Sequence, residues 1–194
     1  MSRKSEVKRR TAETDIDVEL NIDGGADYKI ETPIGFFNHM LELLAKHALF
    51  DLRIKASGDV EVDDHHLIED VGICLGQAIK NALGDKAGIK RYGFFILPMD
   101  ESLCRVALDI GGRPYLVYKM RIAGDSRNEI DLYKNFFTAL ASSLGANIHI
   151  TILYGEDPHH CIESIFKALG KALRQAVGFD ECEKGIPSSK GRID

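Results

Sequence analysis

Ile16, Val18, Leu20 and Ile22 alternate with Asp15, Asp17, Glu19, Asn21 and Asp23. A period of two puts one row on a core and the other in water, so this segment is a half-buried strand. Gly24-Gly25 is a turn signal, and Tyr28-Lys29-Ile30 reads as the returning strand of a hairpin. The period then lengthens to a helix over 36–49, followed by a strand at Leu52, Ile54 and Ala56. A second helix opens at His65-His66 and runs to Leu83, with Gly84 as its stop. Downstream the pattern predicts strands over 92–97, 103–110 and 114–119 and a helix over 132–144. A strand at Ile148, Ile150 and Ile152 and a helix over 159–177 close it.

The two halves read alike because part of the chain is repeated. His65-His66-Leu67-Ile68-Glu69 returns as His159-His160-Cys161-Ile162-Glu163, an offset of 94 residues. At that offset Asp63 meets Asp157, Leu75 meets Leu169, Gly76 meets Gly170, Ala78 meets Ala172 and Gly84 meets Gly178. Bland and chemical positions match together, which is the mark of duplication. Each half reads strands–helix–strand–helix. The predicted fold is α+β: two duplicated halves, mixed sheets, helices packed on one face. No linker divides them, so 1–194 is read as one catalytic domain of two pseudo-repeats (about 1–88 and 89–180). A polar tail over 181–194, expected to be mobile without a ligand, completes it.

Composition narrows the function classes. The 194 residues carry a formal net charge of −5, which gives bulk electrostatics no help toward nucleic acid or anionic membranes. No apolar run approaches the ~20 residues of a membrane span. No apolar segment follows the basic Met1-Ser2-Arg3-Lys4, so no secretory leader is expected. Cys74, Cys104, Cys161 and Cys182 lack C-x-x-C spacing and are read as free thiols of a cytoplasmic protein.

The repeated word carries the chemistry. Glu69 lies one turn from His65 and His66, on a shared helix face. Adjacent histidines diverge by about 100° around a helix, so one helix more naturally serves two ions than one. The copy at His159, His160 and Glu163 serves the same ions from the other side, and His39 on the earlier helix is a further ligand. Imidazole with carboxylate suits divalent transition metals, and the lack of thiolate argues against a structural zinc site. His47 and His149 have weaker cases.

These words in order resemble the imidazoleglycerol-phosphate dehydratase family. The resemblance runs through Arg10-Thr-Ala-Glu13-Thr, Gly35-Phe-Phe-Asn-His39-Met-Leu and Asp63-Asp-His65-His66-Leu-Ile-Glu69-Asp70-Val-Gly. It continues in Pro98-Met-Asp100-Glu101-Ser-Leu, Gly112-Arg113-Pro-Tyr, Asp157-Pro-His159-His160-Cys-Ile-Glu163 and Pro187-Ser-Ser-Lys190-Gly191. The resemblance implies a hydro-lyase of histidine biosynthesis converting D-erythro-imidazoleglycerol phosphate to imidazoleacetol phosphate. It implies two Mn2+ per active site and a homo-oligomeric shell of about 24 subunits with sites between them. Carried over by motif, His39, His66, Glu69 and His159 resemble the ligands of one ion, and His65, His160 and Glu163 those of the other. The family's further histidine is replaced by Asn135, a weaker ligand.

The reaction asks for such groups. The proton to be lost lies beside an imidazole ring, and a metal at each ring nitrogen would stabilise the electron-rich ring. Glu13 is the acid/base candidate, with Glu69 and Glu163 the other carboxylates placed at the catalytic centre. Arg91, Arg113, Lys190, Ser188 and Ser189 fall on motif positions suited to a phosphate, and His47 and Lys167 are further substrate contacts. Asp100 and Glu101 are read as structural, and Phe36, Phe37, Phe136 and Phe137 as core. Two other readings stand beside the dehydratase: a metal-assembled shell of low activity, which Asn135 keeps open, and a two-metal hydrolase.

Overall fold

The computed structural model describes residues 3–120 and 127–193, the side chains of 127–131 excepted. The first sheet is built from β1 (Lys4–Arg10), β2 (Thr14–Asn21), β3 (Tyr28–Glu31) and β4 (Asp51–Gly58), with α1 (Gly35–Ala48) and α2 (His65–Leu83). The second comprises β5 (Tyr92–Met99), β6 (Ser102–Asp109), β7 (Tyr115–Lys119) and β8 (Asn147–Tyr154), with α3 (Arg127–Leu144) and α4 (Pro158–Val177). The strand orders are β1-β2-β4-β3 and β5-β6-β8-β7, the same topology twice.

The predicted hairpin between β2 and β3 does not form. β4 lies between them, antiparallel to β2 and parallel to β3, with Ile30 opposite Ile54. The full apolar rows of β2 and β4 pair in register, Val18 facing Ile54 and Leu20 facing Leu52. The four-residue β3 is left to the edge, and the crossover helix α1 connects it to its parallel partner β4. β7 and β8 repeat this parallel pairing.

Each sheet carries its helices on one face, and the two helical layers meet in the middle. α2 packs on β1 and β2 and against α3 of the other half; α4 packs on β5 and β6 and against α1. Glycines set the closeness of these crossings. A Cβ on Gly76 would sit 2.8 Å from the Leu140 carbonyl oxygen, and one on Gly170 would sit 2.7 Å from that of Leu44. Phe37, Phe136, Phe137 and Phe166 are fully buried between the layers, with ring centroids 5.1–5.5 Å apart where they meet. The outer faces differ. That of the first sheet is charged, whereas Tyr92, Phe94, Ile96, Tyr115 and Tyr154 stand exposed on the second half.

Candidate functional site

Both repeated words sit at the first turn of a helix, and each is anchored alike. The Asp63 carboxylate accepts from the His65 amide at 2.8 Å, and Asp157 accepts from the His159 amide at the same distance. Pro158 at the start of α4 adds a fixed φ where no N–H is needed. The adjacent rings then diverge as expected, with planes 80° apart in the His65–His66 pair and 86° in His159–His160.

Within one chain the donors gather by helix crossing. His39 on α1 and His159 on α4 both bring Nε2 to Glu163 Oε1, at 3.3 and 2.9 Å. Lys167 Nζ donates to Glu163 Oε2 at 2.7 Å and to Met99 Sδ at 3.0 Å. Burial pushes the Glu163 carboxyl up, but the Lys167 ammonium and the two imidazoles outweigh it and hold it below the ordinary carboxylate value. At the matching crossing of α2 with α3, His65 Nε2 lies 3.2 Å from Glu69 Oε2 and His65 Nδ1 lies 3.0 Å from the Asn135 amide. These are contacts within one chain, and neither includes His66 or His160.

His66 and His160 are instead held by carboxylates of neighbouring loops. Asp59 lies 3.2 Å from His66 Nδ1, with Glu13 at 3.8 Å. Glu101 lies 2.7 Å from His160 Nδ1 and also accepts from the Asp157 amide at 2.9 Å. The His160 bond and that amide bond hold the Glu101 carboxyl down at about 2. The bonds to Glu101 and Asp59 raise His160 and His66 above the ordinary imidazole value. Glu101, read from sequence as structural, therefore orients a candidate ligand. Asp59 was missed altogether. The clue to Glu101 is positional: it lies in the β5–β6 turn as Glu13 lies in the β1–β2 turn.

Among the described residues, no group of three or more His, Cys, Asp or Glu side chains is arranged to hold an ion within one chain. The donor chemistry nonetheless fits a divalent transition metal. Nδ1 of His66 and of His160 is engaged by a carboxylate, which leaves Nε2 as the ligating atom and fixes the ring. Phe36, expected in the core, is half-buried and lies against His159, with centroids 4.8 Å apart. His47 is half-buried on α1; burial, then Lys171, Lys167 and Lys46, lower it.

The cationic candidates meet at the far end of the second sheet. Arg91, Arg113, Ser188, Ser189 and Lys190 line a cavity of about 300 Å3. Arg91 donates from Nε and Nη2 to Asp109 at 2.6 and 2.9 Å, and from Nη1 to the Pro187 carbonyl at 2.8 Å. That bond, with the Gly88 amide on the Gly185 carbonyl at 2.7 Å, ties the tail to the body.

The family model for imidazoleglycerol-phosphate dehydratase matches residues 32–173. The imidazoleglycerol-phosphate dehydratase of Caldanaerobacter subterraneus subsp. tengcongensis is 56% identical over 191 residues, 97% of this chain and 98% of that protein. The Acetivibrio thermocellus enzyme of the same name is 51% identical over 195 residues, covering 100% of both. Among solved structures, the Pyrococcus furiosus enzyme in complex with (S)-C348 superposes with a TM-score of 0.85 at 39% identity, covering 96% of this chain and 100% of that one. The Staphylococcus aureus enzyme gives a TM-score of 0.80 at 35% identity, covering 91% and 99%.

Proposed function

The chain belongs to the imidazoleglycerol-phosphate dehydratase family and is a hydro-lyase of that kind; on that footing we propose that it converts D-erythro-imidazoleglycerol phosphate to imidazoleacetol phosphate using two manganese ions. His39, His65, His66, Glu69, His159, His160 and Glu163 are the residues that would hold them. When bound, the ions supply Lewis acidity at the two nitrogens of the substrate ring. Glu13, exposed and 3.8 Å from His66, takes the proton from the carbon beside the ring. The departing hydroxide must also gain a proton, from Glu13 or from solvent. Arg113, Lys190, Ser188 and Ser189 hold the phosphate, with two unspent Arg91 N–H groups beside them.

One observation carries the reading furthest. The phosphate cradle begins at the Arg91 end of β5, and the Glu101–His160 pair lies past its Met99 end. Eight residues of strand separate them by about 23 Å. The substrate is roughly 10 Å long. That separation exceeds the substrate and supports a reading in which the cradle of one copy serves the histidines of another, with catalytic sites shared between subunits of a homo-oligomer. The exposed apolar row of Tyr92, Phe94 and Ile96 supports the same assembly.

The test is turnover of D-erythro-imidazoleglycerol phosphate by the chelated protein and by the manganese-loaded protein, with imidazoleacetol phosphate and free phosphate both measured. Manganese-dependent imidazoleacetol phosphate is the expected product. Free phosphate alone would mean a hydrolase, and neither product would mean an assembled shell without this catalysis. Chelation is also expected to release smaller species in sedimentation and manganese to restore the large one, because ligands drawn from separate chains link metal binding to association.

A further inference from the structure

Nδ1 of three candidate ligands is engaged by a side chain. Asp59 holds His66 at 3.2 Å, Glu101 holds His160 at 2.7 Å, and the Asn135 amide holds His65 at 3.0 Å. In each case Nε2 points elsewhere: in His65 it faces Glu69 Oε2 at 3.2 Å, and in His160 it lies 3.8 Å from Asp100 Oδ2. The matching crossing behaves differently: His39 meets Glu163 itself, at 3.3 Å, on the same oxygen as His159 Nε2. Asn135 and His39 thus occupy corresponding helices but do different things.

The two nitrogens of an imidazole point to opposite sides of the ring. An ion held on His65 Nε2, at a bond of about 2.0–2.1 Å, would lie roughly 7 Å from a group hydrogen-bonded to Nδ1. Asn135 cannot reach it from where it sits. We propose that Asn135 is a positioning residue for His65, the neutral counterpart of Asp59 and Glu101, and not a ligand.

An amide suits this task in both states of the ring. With Nδ1 unprotonated, the Asn135 N–H donates to it; when Nε2 ligates an ion, Nδ1 carries the proton and the amide oxygen accepts it after a flip. A carboxylate favours only the second state. Asn135 can therefore hold the His65 ring in place in either state.

This rests on the manganese reading above, and the test separates the two. Manganese is titrated into the assembled protein and into the Asn135→His and Asn135→Ala variants. Affinity at each site is measured, and coordinated nitrogens are counted from the hyperfine couplings of bound Mn2+. The Asn135→His protein is expected to show the nitrogen count of the original and no tightening at either site. Asn135→Ala, which frees the ring, is expected to weaken one site about 10- to 100-fold, as loss of a group orienting a ligand does. An added nitrogen, or tenfold tightening, in Asn135→His would overturn the assignment and make the position a ligand. So would unchanged affinities in Asn135→Ala. If the original protein takes up no manganese, the function reading fails first, before any variant is compared.

Discussion

Arg91 has a twin in the first half. Arg3 donates from Nε to Asp23 at 3.0 Å and from Nη1 to the Val177 carbonyl at 2.6 Å, as Arg91 does to Asp109 and the Pro187 carbonyl. Both guanidiniums are largely buried, at 14% and 15% exposure. Arg91 alone of the two lines the basic cavity. Arg3→Lys therefore reads the structural tie alone, and Arg91→Lys reads the tie plus any phosphate contact. Lysine keeps the charge but makes one of the three hydrogen bonds. Bonds to charged groups contribute about 1.5–3 kcal/mol in mutational series, and water replaces part of each where the partner is exposed. With Asp109 at 22% exposure, loss of two bonds is worth about 2 kcal/mol, a Tm lower by about 4–8 °C. For Arg3 the partner is 37% exposed, so about 1 kcal/mol is expected. Loss of a bidentate phosphate contact adds about tenfold in KM and in inhibition by inorganic phosphate, in Arg91→Lys only. Calorimetry and steady-state kinetics on both variants measure this. Equal KM values in the two would remove Arg91 from the cradle, and an unchanged Tm in Arg91→Lys would refute the tie.

Gly170→Ala and Gly76→Ala force a Cβ to within 3 Å of a neighbouring backbone oxygen. Each should cost about 1–3 kcal/mol by overpacking, visible as a lower Tm; a Tm unmoved in both would mean the helices part freely. Cys182 is exposed, whereas Cys74 and Cys104 are buried and pushed up to about 11 and 12. A thiol reagent at neutral pH should titrate one cysteine quickly and the others only on unfolding, and fast reaction of two or more would count against this core. The Asp51 carboxylate accepts from the Gly25 and Asp27 amides and is held below 3.8. Its contribution is present above the ordinary carboxylate value and fades as pH falls through the depressed one. The protection factors of the amides over 24–27, after correction for the intrinsic pH dependence of exchange, should therefore fall only in acid; the same acid response in Asp51→Asn would assign it elsewhere.

Periodicity made both long repeats legible, down to the glycines that end α2 and follow α4. It failed at β1, where Lys4, Glu6, Lys8 and Arg10 face out and only Ser5, Val7 and Arg9 face in. An edge strand of charged residues carries no apolar row to detect. It also misassigned β3, because pairing depends on which full rows match, and a four-residue strand says little about that. The donors were legible as residues but not as partners. Asp59 and Glu101 are brought to the histidines by loops, and no spacing on a helix encodes them. The Arg3–Arg91 twin escaped because its offset is 88 while that of the histidines is 94, so an ungapped comparison cannot see both.

The duplicated frame explains which positions had to stay alike and which had to diverge. Gly76 and Gly170, Asp63 and Asp157, and the two Arg–Asp ties serve packing and anchoring, and they match across the halves. The differences fall where a ligand would touch: Glu13 against Glu101, His39 against Asn135, and a basic cavity that the tail builds with the second half. A substrate with an imidazole at one end and a phosphate at the other has no two-fold axis. On the proposed reaction, a symmetric scaffold would hold such a substrate by letting its copies specialise, with the exposed Glu13 carboxylate assigned to proton transfer and its counterpart Glu101 holding a ring. The crossing of α1 with α4 joins donors of both halves, His39 with His159 and Glu163, and that of α2 with α3 sets Asn135 of the second half behind His65 of the first, so each donor group depends on both halves.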